Sequence, residues 1–330
     1  MLKFAIAGAG YISKIHAEAI KSIPDVELVA IVERFPETAR PLADKYHIKH
    51  HYETVNDLLK FGGIDALIIG TPNYLHCPQA IAALQAGVHV MVEKPMAMNA
   101  QEAHQMLEAS QRNGTLLMVA HCWRFDPEVL WLRKQVADGR LGEIIRTKGY
   151  GVHALWGPKG WFTQREYAGG GAMADVGIHA LDTARFLLGD PHPESVFARI
   201  GTYYTDYDVE DTGILILNWE GGAVSYIESG WWQPYTDGPE AATQLYGTKG
   251  FGQIYPTYIL NQSTKEDPGF TFPRKNHAPQ SLYNAQIAYF VQCIRAHLTP
   301  NPGAVEGWIN MKVVDAAYES AKTGSVIAVE

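Results

Sequence analysis

Only three cysteines occur in the 330 residues, Cys77, Cys122 and Cys293, and no two stand at a Cys-x-x-Cys spacing. A scattered, odd set rules out a disulfide framework and a thiolate metal site, and it suits a reducing cytoplasm. Positive charge is scarce too. Lys and Arg number 27 against 35 Asp and Glu, a formal net charge of −8, with no Lys/Arg run. That balance counts against nucleic acid or an anionic membrane as partner. No apolar run is long enough to span a bilayer, and Met1-Leu2-Lys3 leads into a strand without a leader pattern, so a cytoplasmic location is expected. Internal repeats and low-complexity segments are missing as well. What is present is ordinary globular composition, 47% hydrophobic and 19% charged, at a length that favours two domains over one core.

The most informative stretch is Val88–Met96, VHVMVEKPM. Val88, Val90, Met91 and Val92 read as a fully buried strand of a parallel sheet, and the strand runs straight into Glu93-Lys94-Pro95. Ligands of open α/β sheets sit beyond the carboxyl ends of the strands, which is where this lysine stands. Taken alone, it would read equally well as a surface lysine.

Its surroundings tip the balance. Phe4–Ala7 is an apolar strand, Gly8-Ala9-Gly10-Tyr11-Ile12-Ser13 follows, and Ile12, Ile15, His16, Ala19, Ile20 and Ile23 recur at helical spacing. Strand, glycine turn and helix in that order form the context of a dinucleotide fingerprint, here GxGxxS with Ser13 at the third position. A second strand, Val26–Val32, ends at Glu33-Arg34. Glu33 stands where a carboxylate would hold the adenosine ribose hydroxyls and favour NAD, while Arg34 beside it leaves NADP open. Further strands at Ala66–Gly70 and Leu116–Ala120 alternate with helices, one of them capped by Asn99 with Glu102 three residues on. The expected fold class is α/β. A Rossmann dinucleotide-binding domain covers 1–121, with Gly8, Gly10, Tyr11, Ile12, Glu33, Arg34, Thr71, Asn73, His76, Glu93 and Lys94 as cofactor-binding candidates.

From Ile144 the pattern turns extended and rich in Thr, Tyr, Val and Trp. Strands are expected at Ile144–Val152, Ser195–Tyr203, Thr212–Asn218, Ala223–Gly230 and Ala242–Gly247. Residues 122–330 are thus expected to form an α+β domain with an open, mostly antiparallel sheet, and a last helix at about 304–322 to pack back on the first domain. Gly169-Gly170-Gly171 would let backbone run close to a ligand. The helix after it would carry Asp175 and His179 on one face, a pairing that suits a general acid/base and also occurs as a plain surface pair. Trp156, Trp161 and Tyr235, near Gly/Pro-rich loops, are candidates for stacking on a sugar ring.

Gly8-Ala9-Gly10, Glu93-Lys94-Pro95 and the triple glycine with Asp175, His179 and Asp182 together resemble, in order and over essentially the whole chain, the oxidoreductase family named for glucose–fructose oxidoreductase, inositol dehydrogenase and a rhizopine-catabolism protein. The resemblance implies NAD, with NADP as the alternative, and a small sugar or polyol substrate. It also implies a homo-oligomer, dimer or tetramer, built through the C-terminal sheet. By the same analogy Lys94 polarises the reacting oxygen, Asp175 orients it or a neighbouring hydroxyl, His179 exchanges the proton, and Arg124 lines the substrate pocket.

The expected reaction is reversible oxidation of a ring hydroxyl, and it calls for no metal. It needs a hydride acceptor, a proton acceptor and a group that stabilises charge on oxygen. Keto-sugar reduction, redox-assisted glycoside elimination and a non-catalytic sugar- or cofactor-sensing role are the alternatives. The retained Lys94, Asp175 and His179 count against the last.

Overall fold

The computed structural model describes residues 1–236, 238–261, 264–273 and 278–330. The chain splits into two compact units, Met1–Cys122 with Pro279–Trp308, and Trp123–Ala278 with Ile309–Glu330. Cys122 and residues 279–308, which by sequence belong to the second domain, cluster with the first unit.

The first unit is a six-stranded parallel sheet in the order β3-β2-β1-β4-β5-β6. Its strands are β1 (Leu2–Ala7), β2 (Val26–Val32), β3 (His50–Tyr52), β4 (Ala66–Ile69), β5 (His89–Val92) and β6 (Leu117–Val119). The helices between them are α1 (Tyr11–Lys21), α2 (Pro36–Tyr46), α3 (Val55–Phe61), α4 (His76–Gln85) and α5 (Ala100–Asn113). The strand order is that of a doubly wound dinucleotide-binding fold, with its crevice between β1 and β4 where the order reverses. Phe4, Ile6, Ile31, Leu67–Ile69 and Val90–Val92 are buried, which explains why these strands read as unbroken apolar runs. Three elements escaped the sequence reading. The strand β3 is only His-His-Tyr, α2 carries an internal Pro41, and α3 is seven residues long. The helix expected after Asn99 forms as read: Asn99 Oδ1 accepts the Glu102 N–H at 2.9 Å, and Gly114 closes it in the left-handed region.

The second unit contains α6 (Pro127–Ala137), β7 (Ile144–Ala154), short α7 (Arg165–Ala168), a π turn (Met173–Gly177) and α8 (Ile178–Leu187). Eight more strands follow: β8 (Pro193–Gly201), β9 (Thr212–Trp219), β10 (Val224–Gln233), β11 (Ala241–Gly247), β12 (Gly250–Ile254), β13 (Tyr258–Asn261), β14 (Thr264–Glu266) and β15 (Ile327–Ala328). They form a nine-stranded sheet, β14-β13-β12-β11-β7-β10-β9-β8-β15, antiparallel except where β7 and β10 run parallel. The mostly antiparallel expectation holds. Val129, Leu132, Leu141, Phe186, Leu187, Leu245, Ile254 and Ile259 form the core between sheet and helices.

Two helices end the chain. In the first unit, α9 (Gln280–Ala296) packs on α1, with Phe290 edge-on to Phe4 at 6.2 Å. The last, α10 (Ala304–Thr323), is divided at Trp308, which meets the His104 ring at 4.8 Å within the first unit. No helix of the described residues is long and apolar enough to cross a membrane.

Candidate active site

In the first unit the glycine turn behaves as its spacing requires. Gly8 has φ +94°, and a Cβ there would lie 2.7 Å from Gly70 O, so the turn after β1 closes against the end of β4 only with glycine. At Gly10 nothing lies within 4 Å of a Cβ position, and no side chain caps α1. The first-turn N–H groups of α1 are therefore left for an anion, as a dinucleotide pyrophosphate requires. Ser13 replaces the third glycine and is fully buried, its Oγ 3.1 Å from where a Gly70 Cβ would stand; the close helix–strand approach is met by Gly70 instead. Tyr11 is exposed and Ile12 half-buried.

At the end of β2, Glu33 folds its carboxylate over this turn, accepting the Ala9 N–H at 3.1 Å and the Phe35 N–H at 3.2 Å. Arg34 points elsewhere, its guanidinium 5.7 Å from the Phe35 ring centre. These features fit NAD: an open anion site, with a carboxylate beside it for ribose hydroxyls.

The segments after β4 and β5 carry the other candidates. Asn73 is buried, and Thr71 Oγ1 donates to Gln79 Oε1 at 3.0 Å. His76 departs from the reading that made it a cofactor contact. It is fully buried, with Nδ1 2.9 Å from Pro95 O and Nε2 2.9 Å from Thr71 O. The ring clamps the two segments to each other and has no surface left for a ligand. Burial lowers its pKa despite both carbonyls and Glu93.

Glu93 is likewise turned inward. Its Oε1 lies 2.7 Å from Nε2 of buried His16, and its Oε2 accepts the Lys94 N–H at 3.2 Å. Burial pushes the Glu93 carboxyl up, but the His16 hydrogen bond and charge, with Lys94, outweigh it and leave the pKa lowered. Glu93 thus ties His16 to the backbone of Lys94.

In the second unit the two acid/base candidates are each held by an indole. Asp175 Oδ2 accepts the Trp231 Nε1–H at 3.1 Å, and the His179 ring stacks on Trp123 at 4.9 Å and 24°. Asp175 sits in the π turn and His179 in the first turn of α8, not on one uninterrupted α-helix as read. π turns of this kind recur at functional sites.

The triple glycine has a different cause from the one expected. A Cβ on Gly170 would lie 2.0 Å from Tyr318 Oη, and one on Gly171 1.9 Å from Glu210 O. At Gly171 the backbone of Glu210 itself forbids a side chain, and at Gly170 the Tyr318 hydroxyl occupies the place of one.

Arg124 also reads differently in three dimensions. It is 2% exposed, donates through Nε and Nη2 to the two Asp182 oxygens at 2.8 and 2.7 Å, and pairs through Nη1 with Asp190 at 3.0 Å. Asn310 donates to the same Asp182 at 2.8 Å. A guanidinium engaged on this many sides is a structural anchor.

Among the aromatic candidates, Trp156 is half-exposed, stacked on His153 at 3.6 Å and 13°, with its Nε1–H donating to Glu240. Trp161 stacks on Phe162 at 3.8 Å, and Tyr235 is 74% exposed.

Sequence reasoning passed over His16, Trp123, Glu210, Asp211 and Trp231 as site residues. The signal for the acid pair was faint: Glu210-Asp211 stands at the mouth of β9, and both turn out buried.

Comparison with known proteins bears on both units. Residues 2–121 match the family model described as an oxidoreductase family with an NAD-binding Rossmann fold, and residues 129–251 match the GFO/IDH/MocA C-terminal domain. D-glucoside 3-dehydrogenase of Escherichia coli (strain K12) is 30% identical, over 98% of this chain and 96% of its own. The scyllo-inositol 2-dehydrogenase (NAD(+)) of Bacillus subtilis (strain 168) is 26% identical, over 100% and 96%. In fold, the chain is similar to levoglucosan dehydrogenase in complex with NADH, at a TM-score of 0.90, 23% identity and 100% and 99% coverage.

Proposed function

Because this chain belongs to the GFO/IDH/MocA oxidoreductases, a family of NAD-dependent sugar and polyol dehydrogenases, we propose that it oxidises a secondary ring hydroxyl of a sugar or cyclic polyol, reversibly. The observation that carries this reading is the pair of indole-held groups at the start of α8, Asp175 under Trp231 and His179 under Trp123. The first unit's open anion site, flanked by the Glu33 carboxylate, supplies the matching cofactor requirement.

Bound nicotinamide would supply the hydride acceptor. His179 takes the hydroxyl proton, its ring face fixed against Trp123. Lys94, its backbone fixed through Glu93, places an ammonium on the reacting oxygen and stabilises the charge that grows there. Asp175 orients the same hydroxyl or a neighbouring one. Carbonyl reduction uses the same groups in reverse. Glu33 favours NAD over NADP, since a carboxylate at the ribose repels a 2′-phosphate. A second copy on the outer sheet face, where Ile214 and Ile216 of β9 are exposed, would complete a homo-oligomer.

The test is reduced-nicotinamide absorbance with NAD and NADP over inositols, glucosides, aldoses and their keto forms. Turnover is expected with NAD. It should fall about 10²–10⁴-fold in His179→Ala, the range for a lost general base, and about 10²–10³-fold in Lys94→Ala. Full activity in either variant would remove that residue from the mechanism. Cofactor binding without turnover on any member of the panel would overturn the dehydrogenase reading.

A further inference from the structure

A closed circuit of hydrogen bonds in the second unit runs through Asp175 and returns to it. Asp175 N–H donates to Gly171 O at 2.9 Å, and Gly171 N–H donates to Glu210 Oε1 at 2.9 Å. The chain passes covalently from Glu210 to Asp211, whose O accepts the Trp231 N–H at 2.8 Å. The Trp231 indole then donates to the Asp175 carboxylate at 3.1 Å. Both ends of Asp175, backbone and side chain, are thus referred to the one dipeptide Glu210-Asp211.

Glu210 grips the start of the π turn at three consecutive N–H groups. Its Oε1 accepts from Gly171 and Met173, the latter at 3.0 Å, while its backbone O accepts from Ala172 at 2.9 Å. Tyr318 Oη adds a third donor to Oε1 at 2.8 Å. Glu210 is 4% exposed, and the Gly171 backbone lies so close to the Glu210 main chain that position 171 has no room for a Cβ. Asp211 is as deeply bound on its other side, its carboxylate accepting from the N–H groups of Tyr203, Tyr204 and Thr205.

We propose that Glu210 is a positioning residue for Asp175, setting through Gly171 and Met173 the register of the π turn from which the Asp175 carboxylate reaches Trp231. What the turn requires of residue 210 is an acceptor oxygen at this reach. A full charge is not required, because the donors are neutral N–H and O–H groups. The proposal rests on the mechanism above only for its effect on turnover; the geometric part stands apart from it.

Two shape-related variants separate reach from charge. Glu210→Gln keeps an acceptor oxygen at the same distance and loses the charge, whereas Glu210→Asp keeps the charge and withdraws the oxygen by one methylene. The direct readout is hydrogen exchange of the Trp231 indole N–H in isotope-labelled enzyme with NAD bound, its resonance assigned as the one absent from Trp231→Phe. Glu210→Asp should speed that exchange about ten-fold or more, as local opening does, and leave the other indoles unchanged. Glu210→Gln should stay near wild type. Wild-type protection in Glu210→Asp, or equal loss in both variants, overturns the proposal.

In turnover with NAD and the fastest sugar of the panel, Glu210→Asp should lose about ten- to a hundred-fold in kcat, the scale of a small misplacement. KM for NAD should not change, and Glu210→Gln should recover most of the rate. A general loss of stability would instead move both variants together. Asp175→Ala measured alongside keeps the two ideas apart: undiminished kcat there removes Asp175 from the mechanism, and the exchange result alone then decides the positioning of the π turn.

Discussion

Each unit buries a glutamate directly behind the segment that carries its candidate chemistry, and the two are held in opposite ways. Glu93 sits behind Lys94 with an imidazole on it, His16 at 2.7 Å, and its pKa is lowered. Glu210 sits behind the π turn with only N–H and O–H donors, and burial raises its pKa over what Tyr318, Met173 and Gly171 supply in the other direction. The difference separates two jobs. An imidazole partner favours the ionised form of a buried carboxylate beside a lysine, while a set of peptide donors uses the carboxylate as a shaped acceptor. The first should fail when its partner is removed, the second when its reach is altered.

The largest effect expected from that contrast is His16→Ala. Removing one partner of a buried pair strands the other, at a cost of about 3–5 kcal/mol, read as a shift of the denaturant midpoint with unchanged slope. A loss under 1 kcal/mol, within the range of an exposed pair, would erase the distinction between the two glutamates. The counterpart is milder. Tyr318→Phe removes one of three donors to Glu210 Oε1 and should cost about 1–3 kcal/mol in the same measurement, with Glu210 still capped by Gly171 and Met173.

The pH dependence should differ in sign. Glu93, held below its ordinary 4.5, contributes stability that is present above pH 4.5 and lost as the pH falls through its lowered value. Glu210, held above 4.5, contributes stability that is full below pH 4.5 and lost as the pH rises through its raised value. Melting curves of Glu93→Gln and Glu210→Gln against wild type should therefore diverge with opposite slopes. Glu93→Gln should approach wild type in acid, and Glu210→Gln should gain on it as the pH rises. Parallel curves would mean that the two carboxyls are held alike.

The smallest signal should come from His76, whose lowered pKa makes the neutral ring part of the fold. Stability should be full above its ordinary 6.5 and decline as the pH falls below it. His76→Gln should flatten that decline, and an unchanged decline would place its origin elsewhere.

The parts of the molecule visible in the sequence are those whose cause is local. The buried strands of the first unit carry their burial as unbroken apolar runs. The Gly8–Gly10 turn and the Asn99 cap are written within a few residues of where they act. The anchoring of Arg124 is invisible in the sequence because its partners, Asp182 and Asp190, stand 58 and 66 positions away. The close approach at Gly170 and Gly171 is hidden for the same reason. Glycine shows that something must come close, and only the fold shows that this is Glu210 and Tyr318. Glu93 stands at the end of β5 and His76 at the start of α4, but position in the chain does not say whether a side chain turns outward or in.

The 1.9 Å between Glu210 O and the Cβ that Gly171 lacks has a consequence for how such a protein can change. The obstructing atom belongs to the main chain, so no choice of side chain at position 210 would admit even alanine at 171. A library randomised across 169–173 would return mostly unfolded protein, and the few survivors would keep their glycines. The turn bearing Asp175 is thereby closed to gradual change at 171, whereas exposed rings such as Trp156 and Tyr235 can be exchanged one at a time without touching it.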